Sequence, residues 1–267
     1  MSWSRLLLPR EHAVPFRGVQ LGYRRFGSGP PVILVHGSFI ARPFGKFEEF
    51  LAKKRTVVAI DLPGFGSSDA VPGERHAMPL FSEALGVAAR SLGMVDTPVV
   101  AFSYGSIVAM HAMAEGALNG PLVAIGTPGK VFGLPSRLFA KLSPGLRTAI
   151  VRSRLGIPLV VAPVLGRNTG ERNPAQAARM LEKLFATDAR SMAEPDYLFD
   201  IETGLRRDAP KLRGRVHLIY GERDPQRGTA SDILTENTTI SGVGHTPFRE
   251  AEKTAEAVFA GLASFGA

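Results

Sequence analysis

With 267 residues, 45% of them hydrophobic and 21% charged, the chain can bury a large core, which excludes a disordered polypeptide and points to one domain or one domain with an inserted subdomain. The absence of cysteine excludes disulfides, thiolate metal sites and a cysteine nucleophile. The net charge of +8 is dispersed, with 24 of 32 basic residues being arginine and no basic helix or stacking-aromatic motif, so no nucleic-acid partner is expected.

The chain opens on Met1-Ser-Trp-Ser-Arg-Leu-Leu-Leu-Pro9, whose apolar run is too short for a secretory signal. No stretch approaches the roughly 18 apolar residues that a membrane span requires. The expectation is a cytoplasmic protein, monomeric or homodimeric. Two segments, Ala13–Phe16 and Val19–Phe26, read as an antiparallel pair joined at Arg17-Gly18. Apolar runs follow at Pro31–Val35, Thr56–Ile60, Val99–Phe102, Leu122–Ile125 and Val216–Tyr220, and polar chemistry gathers at their carboxyl ends, where open parallel sheets place ligand sites. Helical spacing falls between them on Pro43–Lys53, Met78–Leu92, Ser106–Ala114 and Ala251–Phe265. This alternation predicts a mostly parallel sheet covered on both faces.

The alternation breaks after Thr127. From Pro128 to about Arg207 no strand signal occurs, only helical stretches punctuated by prolines, with Asn173-Pro174 as a helix start. We read a helical cap over 128–207, inserted between a first core part, 1–127, and a second, 208–267. The cap sequence is rich in Leu, Val, Ile, Phe and Met, suited to an acyl or hydrocarbon group. Residues 128–200 carry 11 Lys/Arg against 6 Asp/Glu, which would serve either as a solvated surface or to steer an anionic group.

Ser103 stands where the run Val99–Phe102 meets a small-residue turn and an apolar helical stretch. Ala101 and Gly105 flank it, giving small-x-Ser-x-Gly, a tight strand-to-helix turn that projects its serine at the sheet edge. A serine hydroxyl needs a base and a group that orients the base. Asp224 follows the run Val216–Tyr220, and His245 lies in a glycine-bearing loop after a short β-like run, Thr238–Ser241. His12, His76, His111 and His217 are set aside as surface or packing residues. An oxyanion would be held by two backbone N–H groups, one from Tyr104 after the serine and one from Ser38 in the loop after Pro31–Val35, with Phe39 as the alternative donor and a substrate-binding residue.

Four motifs in order, His36-Gly37-Ser38, Asp61-Leu-Pro-Gly-Phe-Gly-Ser-Ser-Asp69, the turn around Ser103 and the Asp224 and His245 loops, make the chain resemble the α/β-hydrolase superfamily over nearly its whole length. The resemblance implies an α/β-hydrolase fold: an eight-stranded, mostly parallel sheet with helices on both faces and a helical cap after the sixth strand. It implies no cofactor and no metal, and a structural role for Asp61. It also implies a serine chemistry at a carbonyl, since epoxide hydrolases and haloalkane dehalogenases of this fold carry aspartate at the position of Ser103. Ser103-Tyr-Gly-Ser106 resembles proline iminopeptidases, which would require a cap carboxylate such as Glu171, Glu182 or Glu194. The chain departs from the family at Ala101, and in the short stretch from Asp224 to His245, which predicts a single helical turn around Ala230–Leu234. The expected activity is hydrolysis of a carboxylic ester of a small to medium hydrophobic acid, a small-molecule acyl substrate. The alternatives are a thioesterase or C–C bond hydrolase, and a non-catalytic or slow-turnover receptor on the same fold.

Overall fold

The computed structural model describes residues 8–38, 41–129, 196–230 and 233–267, with scattered positions between 141 and 149. Most of the stretch assigned to the cap, the helix start at Asn173-Pro174, the glutamates 171, 182 and 194, and Phe39 lie outside the described residues.

Eight strands form one sheet in the order β1-β2-β4-β3-β5-β6-β7-β8. The first two, β1 (His12–Phe16) and β2 (Val19–Gly27), make an antiparallel hairpin with Phe16 opposite Val19. Its two-residue turn has φ 45° at Arg17 and 77° at Gly18, the paired positive angles whose twist matches that of the flanking strands. The remaining strands, β3 (Pro31–Val35), β4 (Thr56–Ile60), β5 (Val99–Phe102), β6 (Leu122–Ile125), β7 (Val216–Gly221) and β8 (Glu236–Ile240), run parallel to one another.

Strands β3 to β6 are apolar without alternation because both faces are covered, and successive residues feed opposite cores, whereas β8 at the sheet edge is polar. Ile33, Val35, Val58, Ile60, Val99, Ala101, Leu122 and Ala124 pack with α2 (Met78–Ser91) and α3 (Tyr104–Ala114). Their neighbours Val32, Leu34, Val57, Ala59, Val100, Phe102, Val123 and Ile125 pack with α1 (Lys46–Ala52) and α5 (Ala251–Ala263). Between α3 and β7, α4 (Asp196–Asp208) joins the first core through Ile201 and Leu205. It lies so close there that a Cβ at Gly204 would stand 2.9 Å from Met78 Cε.

Several boundaries differ from the sequence reading. Helix α1 begins at Lys46 rather than Pro43, because Gly45 stands at φ 55° before it. Helix α3 begins at Tyr104 rather than Ser106: Ser106 N–H already donates to Ser103 O at 2.9 Å, so the helix starts directly at the turn. The last strand begins at Glu236 rather than Thr238, through an irregular register against β7 in which Asn237 Oδ1 accepts the Leu218 N–H at 2.8 Å. The short stretch before it closes one turn, with Leu234 N–H donating to Ala230 O at 2.9 Å.

Strand β3 has β4 on one side and β5 on the other, so chain progression reverses between β3 and β5. Crevices at such reversals, beyond the carboxyl ends of the strands, are where open parallel sheets hold ligands. His36-Gly37 and Ser103 follow these two strands.

Candidate active site

Ser103 caps β5 with φ 53° and ψ −128°, a backbone conformation unfavourable for any residue with a side chain. Its N–H donates to Ile125 O at 2.8 Å, tying the turn to β6. The turn is tight on its other side too: a Cβ at Gly105 would stand 2.2 Å from His36 O, and one at Gly37 would stand 3.0 Å from Ser103 Cβ. Ala101, where the family has glycine, is fully buried beside Val35 and Ala124, so its methyl is absorbed in the core shared with α2 and α3.

Ser103, His245 and Asp224 come together at this edge. His245 Nδ1 lies 3.1 and 3.0 Å from the two Asp224 carboxylate oxygens, which fixes the tautomer: Nδ1–H donates to Asp224. Nε2 is therefore an acceptor for the Ser103 hydroxyl, 3.0 Å away. Asp224 is only 5% exposed and also accepts the Gln226 N–H at 2.8 Å. Two glycines permit this approach. A Cβ at Gly126, itself at φ 59°, would sit 3.2 Å from both Asp224 Oδ2 and His245 Nδ1, and one at Gly221 would stand 2.2 Å from Gly244 O in the histidine loop. The Phe102 ring lies 5.2 Å from the imidazole and 4.9 Å from Phe248, giving His245 an aromatic floor continuous with the core of α1 and α5.

Across the crevice, Tyr104 is the first residue of α3, and the N–H groups of a helix's first turn point out of its amino end. Ser38 is half-buried and follows Gly37. The buried His36 ring orders this loop. Its Nε2 accepts the Leu62 N–H at 3.0 Å, so Nδ1 carries the proton and donates to Gly37 O at 2.7 Å. Burial pushes His36 below the ordinary histidine range, in keeping with a neutral ring, while the nearby Asp61 charge works in the opposite direction.

Asp61 accepts the Ser67 N–H at 2.9 Å and Oγ–H at 2.8 Å, and pairs with Arg42 at 2.8 Å. Burial disfavours its carboxylate, but hydrogen bonds and charge from Arg42 outweigh that and hold it below the usual carboxylate range. Ser68 Oγ donates to Asp61 O and stands 2.8 Å from Gly22 N, stitching this loop to β2.

The set-aside histidines have ordinary partners. His12 stacks on Tyr23, His76 accepts the Val71 N–H, and His217 Nε2 stands 2.9 Å from Thr238 Oγ1. His111 lies 3.0 Å from Asp208 and, with Glu115, forms a group whose ligand atoms fall within 4.8 Å of one another. Arg207 already engages both Asp208 oxygens there, at 2.8 and 2.7 Å.

A sequence model described as the alpha/beta hydrolase family matches residues 32–257. The chain belongs to that family. Its structure is similar to the enol-lactonase from Burkholderia xenovorans LB400, with a TM-score of 0.76 and 18% identity over 93% of this chain and 98% of the other. It is also similar to the N-acyl homoserine lactonase AidH, at 0.69 and 22% over 93% and 94%. A haloalkane dehalogenase variant from Bradyrhizobium elkanii gives 0.69 and 17% over 94% and 95%. At these identities the likeness shows the fold alone.

Sequence reasoning named Ser103, Asp224, His245, Ser38 and Tyr104, and missed Arg42, Phe102, Gly126 and Gly221. A buried Asp61 demands a cation, which is the signal that would have led to Arg42. The two glycines had no local signature, because each makes room for a residue from another loop.

Proposed function

We propose that this member of the alpha/beta hydrolase family is a serine hydrolase that cleaves a carboxylic ester of a small to medium hydrophobic acid through an acyl-enzyme. The observation that carries the reading is the chain of contacts from Ser103 Oγ to His245 Nε2 at 3.0 Å and from His245 Nδ1 to Asp224 at 3.0 Å.

Ser103 Oγ attacks the ester carbonyl carbon while its proton passes to His245 Nε2, and Asp224 stabilises the resulting imidazolium without taking the proton. The Ser38 and Tyr104 N–H groups hold the oxyanion, aided by the positive amino end of α3. As the tetrahedral intermediate collapses, the bond to the alkoxy oxygen breaks and His245 protonates the departing alcohol. Water then enters; His245 takes its proton, hydroxide adds to the acyl carbon, and the bond to Ser103 Oγ breaks as the proton returns to Ser103. In this reading the inserted stretch that begins at Pro128 caps the pocket as far as α4, which packs on α2 and α3 instead, and Phe39 contributes to the pocket wall. A lactone, being a cyclic ester, would follow the same route with the alcohol still tethered.

Hydrolysis of p-nitrophenyl esters from acetyl to lauroyl, with an acyl lactone alongside, tests the proposal. Turnover should peak at one chain length and fall by at least about 10³-fold in Ser103→Ala and in His245→Ala, each still folded by circular dichroism. Parent-level turnover in Ser103→Ala would overturn the mechanism. A protein that hydrolyses no ester or lactone but cleaves acyl-thioesters or ring-cleavage dienoates, in a Ser103-dependent way, would keep the nucleophile and replace the substrate class.

A further inference from the structure

The loop that carries Ser38 is ordered through His36, and His36 can do this only while neutral. As an acceptor from Leu62 N–H at Nε2 and a donor to Gly37 O at Nδ1, it uses both nitrogens in opposite senses. A protonated ring would present a donor to the Leu62 N–H. Because the trans peptide is planar, fixing the Gly37 carbonyl toward His36 also turns the Ser38 N–H the opposite way. The orientation of one candidate oxyanion donor thus depends on the charge of a buried ring.

Burial is the largest influence on that ring and favours its neutral form, and two charged groups act on it as well. The Asp61 carboxylate favours a positive His36, and the Arg42 guanidinium opposes it. The ring is otherwise packed on Phe65, with centroids 4.8 Å apart. Arg24, from β2, also acts on Asp61, but its guanidinium is engaged with both Glu48 oxygens at 2.8 and 2.6 Å. Arg42 reaches Asp61 through Nη2 at 2.8 Å and Nε at 3.2 and 3.3 Å, and Ser67 Oγ at 3.1 Å. Its own backbone stands at φ 53°, a conformation that an arginine keeps only where its surroundings impose it.

We propose that Arg42 is a positioning residue for the oxyanion loop: by neutralising Asp61 it keeps His36 in the neutral tautomer that orients the Gly37–Ser38 peptide. The proposal rests on the serine-hydrolase reading above. The ring lies against the turn that Asp61 opens, through Leu62 N–H and Phe65, so without Arg42 the Asp61 charge favours a positive His36 with no guanidinium to oppose it. The ring then loses its acceptor for Leu62 N–H, and the peptide is no longer held.

The test compares Arg42→Met, Arg42→Lys, Asp61→Asn and the double variant Arg42→Met/Asp61→Asn with the parent. Two readouts are followed from pH 5.5 to 8.5: kcat and KM for the best p-nitrophenyl ester, and the ring-nitrogen NMR signals of His36. Arg42→Met should lose about 10-fold or more in kcat with KM within about twofold, the loss deepening toward acid pH, as removal of an oxyanion donor would. Its His36 signals should titrate in that range, whereas the parent's stay neutral. Arg42→Lys, which keeps the charge, and the double variant, which removes both charges, should each recover to within about threefold of the parent. Should Arg42→Met be too unstable to purify, the double variant and Arg42→Lys still decide: the proposal requires a neutral His36 and near-parent kcat in both. A His36 that stays neutral in Arg42→Met, or a pH-independent loss that Asp61→Asn does not relieve, would overturn the link while leaving the serine-hydrolase reading intact. Ester turnover that survives Ser103→Ala would instead overturn that reading, and with it the role given to Ser38.

Discussion

Ser103 carries a conflict between stability and chemistry. Its φ of 53° projects Oγ toward His245, and such a conformation costs a non-glycine residue about 1–2 kcal/mol. Replacing it with glycine should therefore raise Tm by a few degrees while abolishing turnover, and a lower Tm in a thermal melt of Ser103→Gly would contradict the strain argument. The serine, the histidine and the acid were legible in the sequence because each sits at a strand end in a short local pattern. Arg42 and Phe102 were not, since what matters about them is a contact made through space, with Asp61 and with the His245 ring. Arg42 precedes Pro43 in a loop with no pattern of its own, and Phe102 reads as one more apolar residue in a buried strand.

Strand ends and loops meet at the site with little slack. The β7 end and the histidine loop approach so closely that a methyl at Gly221 would overlap Gly244 O, and neither backbone can give way without moving Asp224 from His245. Gly221→Ala should lower kcat by about 10²-fold, as expected for displacement of reacting groups by an ångström, while far-UV circular dichroism stays that of the parent. An unchanged kcat would mean that the two loops shift together. The five long apolar runs were read correctly to within a residue because strands covered on both faces are continuous in hydrophobicity. Helix starts were harder. Gly45 holds α1 back by three residues, and the turn at Ser103 launches α3 two residues early, both being backbone conformations that periodicity does not register.

Considered as a whole, the fold places the buried His36, the half-buried His217 and the buried carboxylates of Asp61 and Asp208 where they shape its acid stability. Burial lowers His36 and His217 below the ordinary value of 6.5, so as the pH falls through that value the unfolded chain gains protons that the folded chain does not, and stability declines. For Asp61 and Asp208 burial works against the charge, but Arg42 and Arg207 hold both below the ordinary 3.8; their contribution is present above that value and is lost as pH falls below it. Tm measured from pH 8 to pH 3 should fall in two stages, the later one smaller in Asp61→Asn. A Tm that stays level from pH 6.5 to 3 would contradict this. Among the described residues, no helix is long and apolar enough to cross a membrane. The family motifs implied eight mostly parallel strands, but the sheet order, with its reversal between β3 and β5, was not legible in the sequence, since periodicity says where strands lie but not which are neighbours.

The proposed function requires Ser103 to be a nucleophile activated by His245. Its most direct measurement is labelling of the native protein with a fluorophosphonate, followed by mass spectrometry of the peptides. One adduct is expected, on Ser103, formed rapidly in the parent and slowed by at least about 10²-fold in His245→Ala. A native protein that takes up no label, or whose Ser103 reacts equally fast without His245, would contradict it.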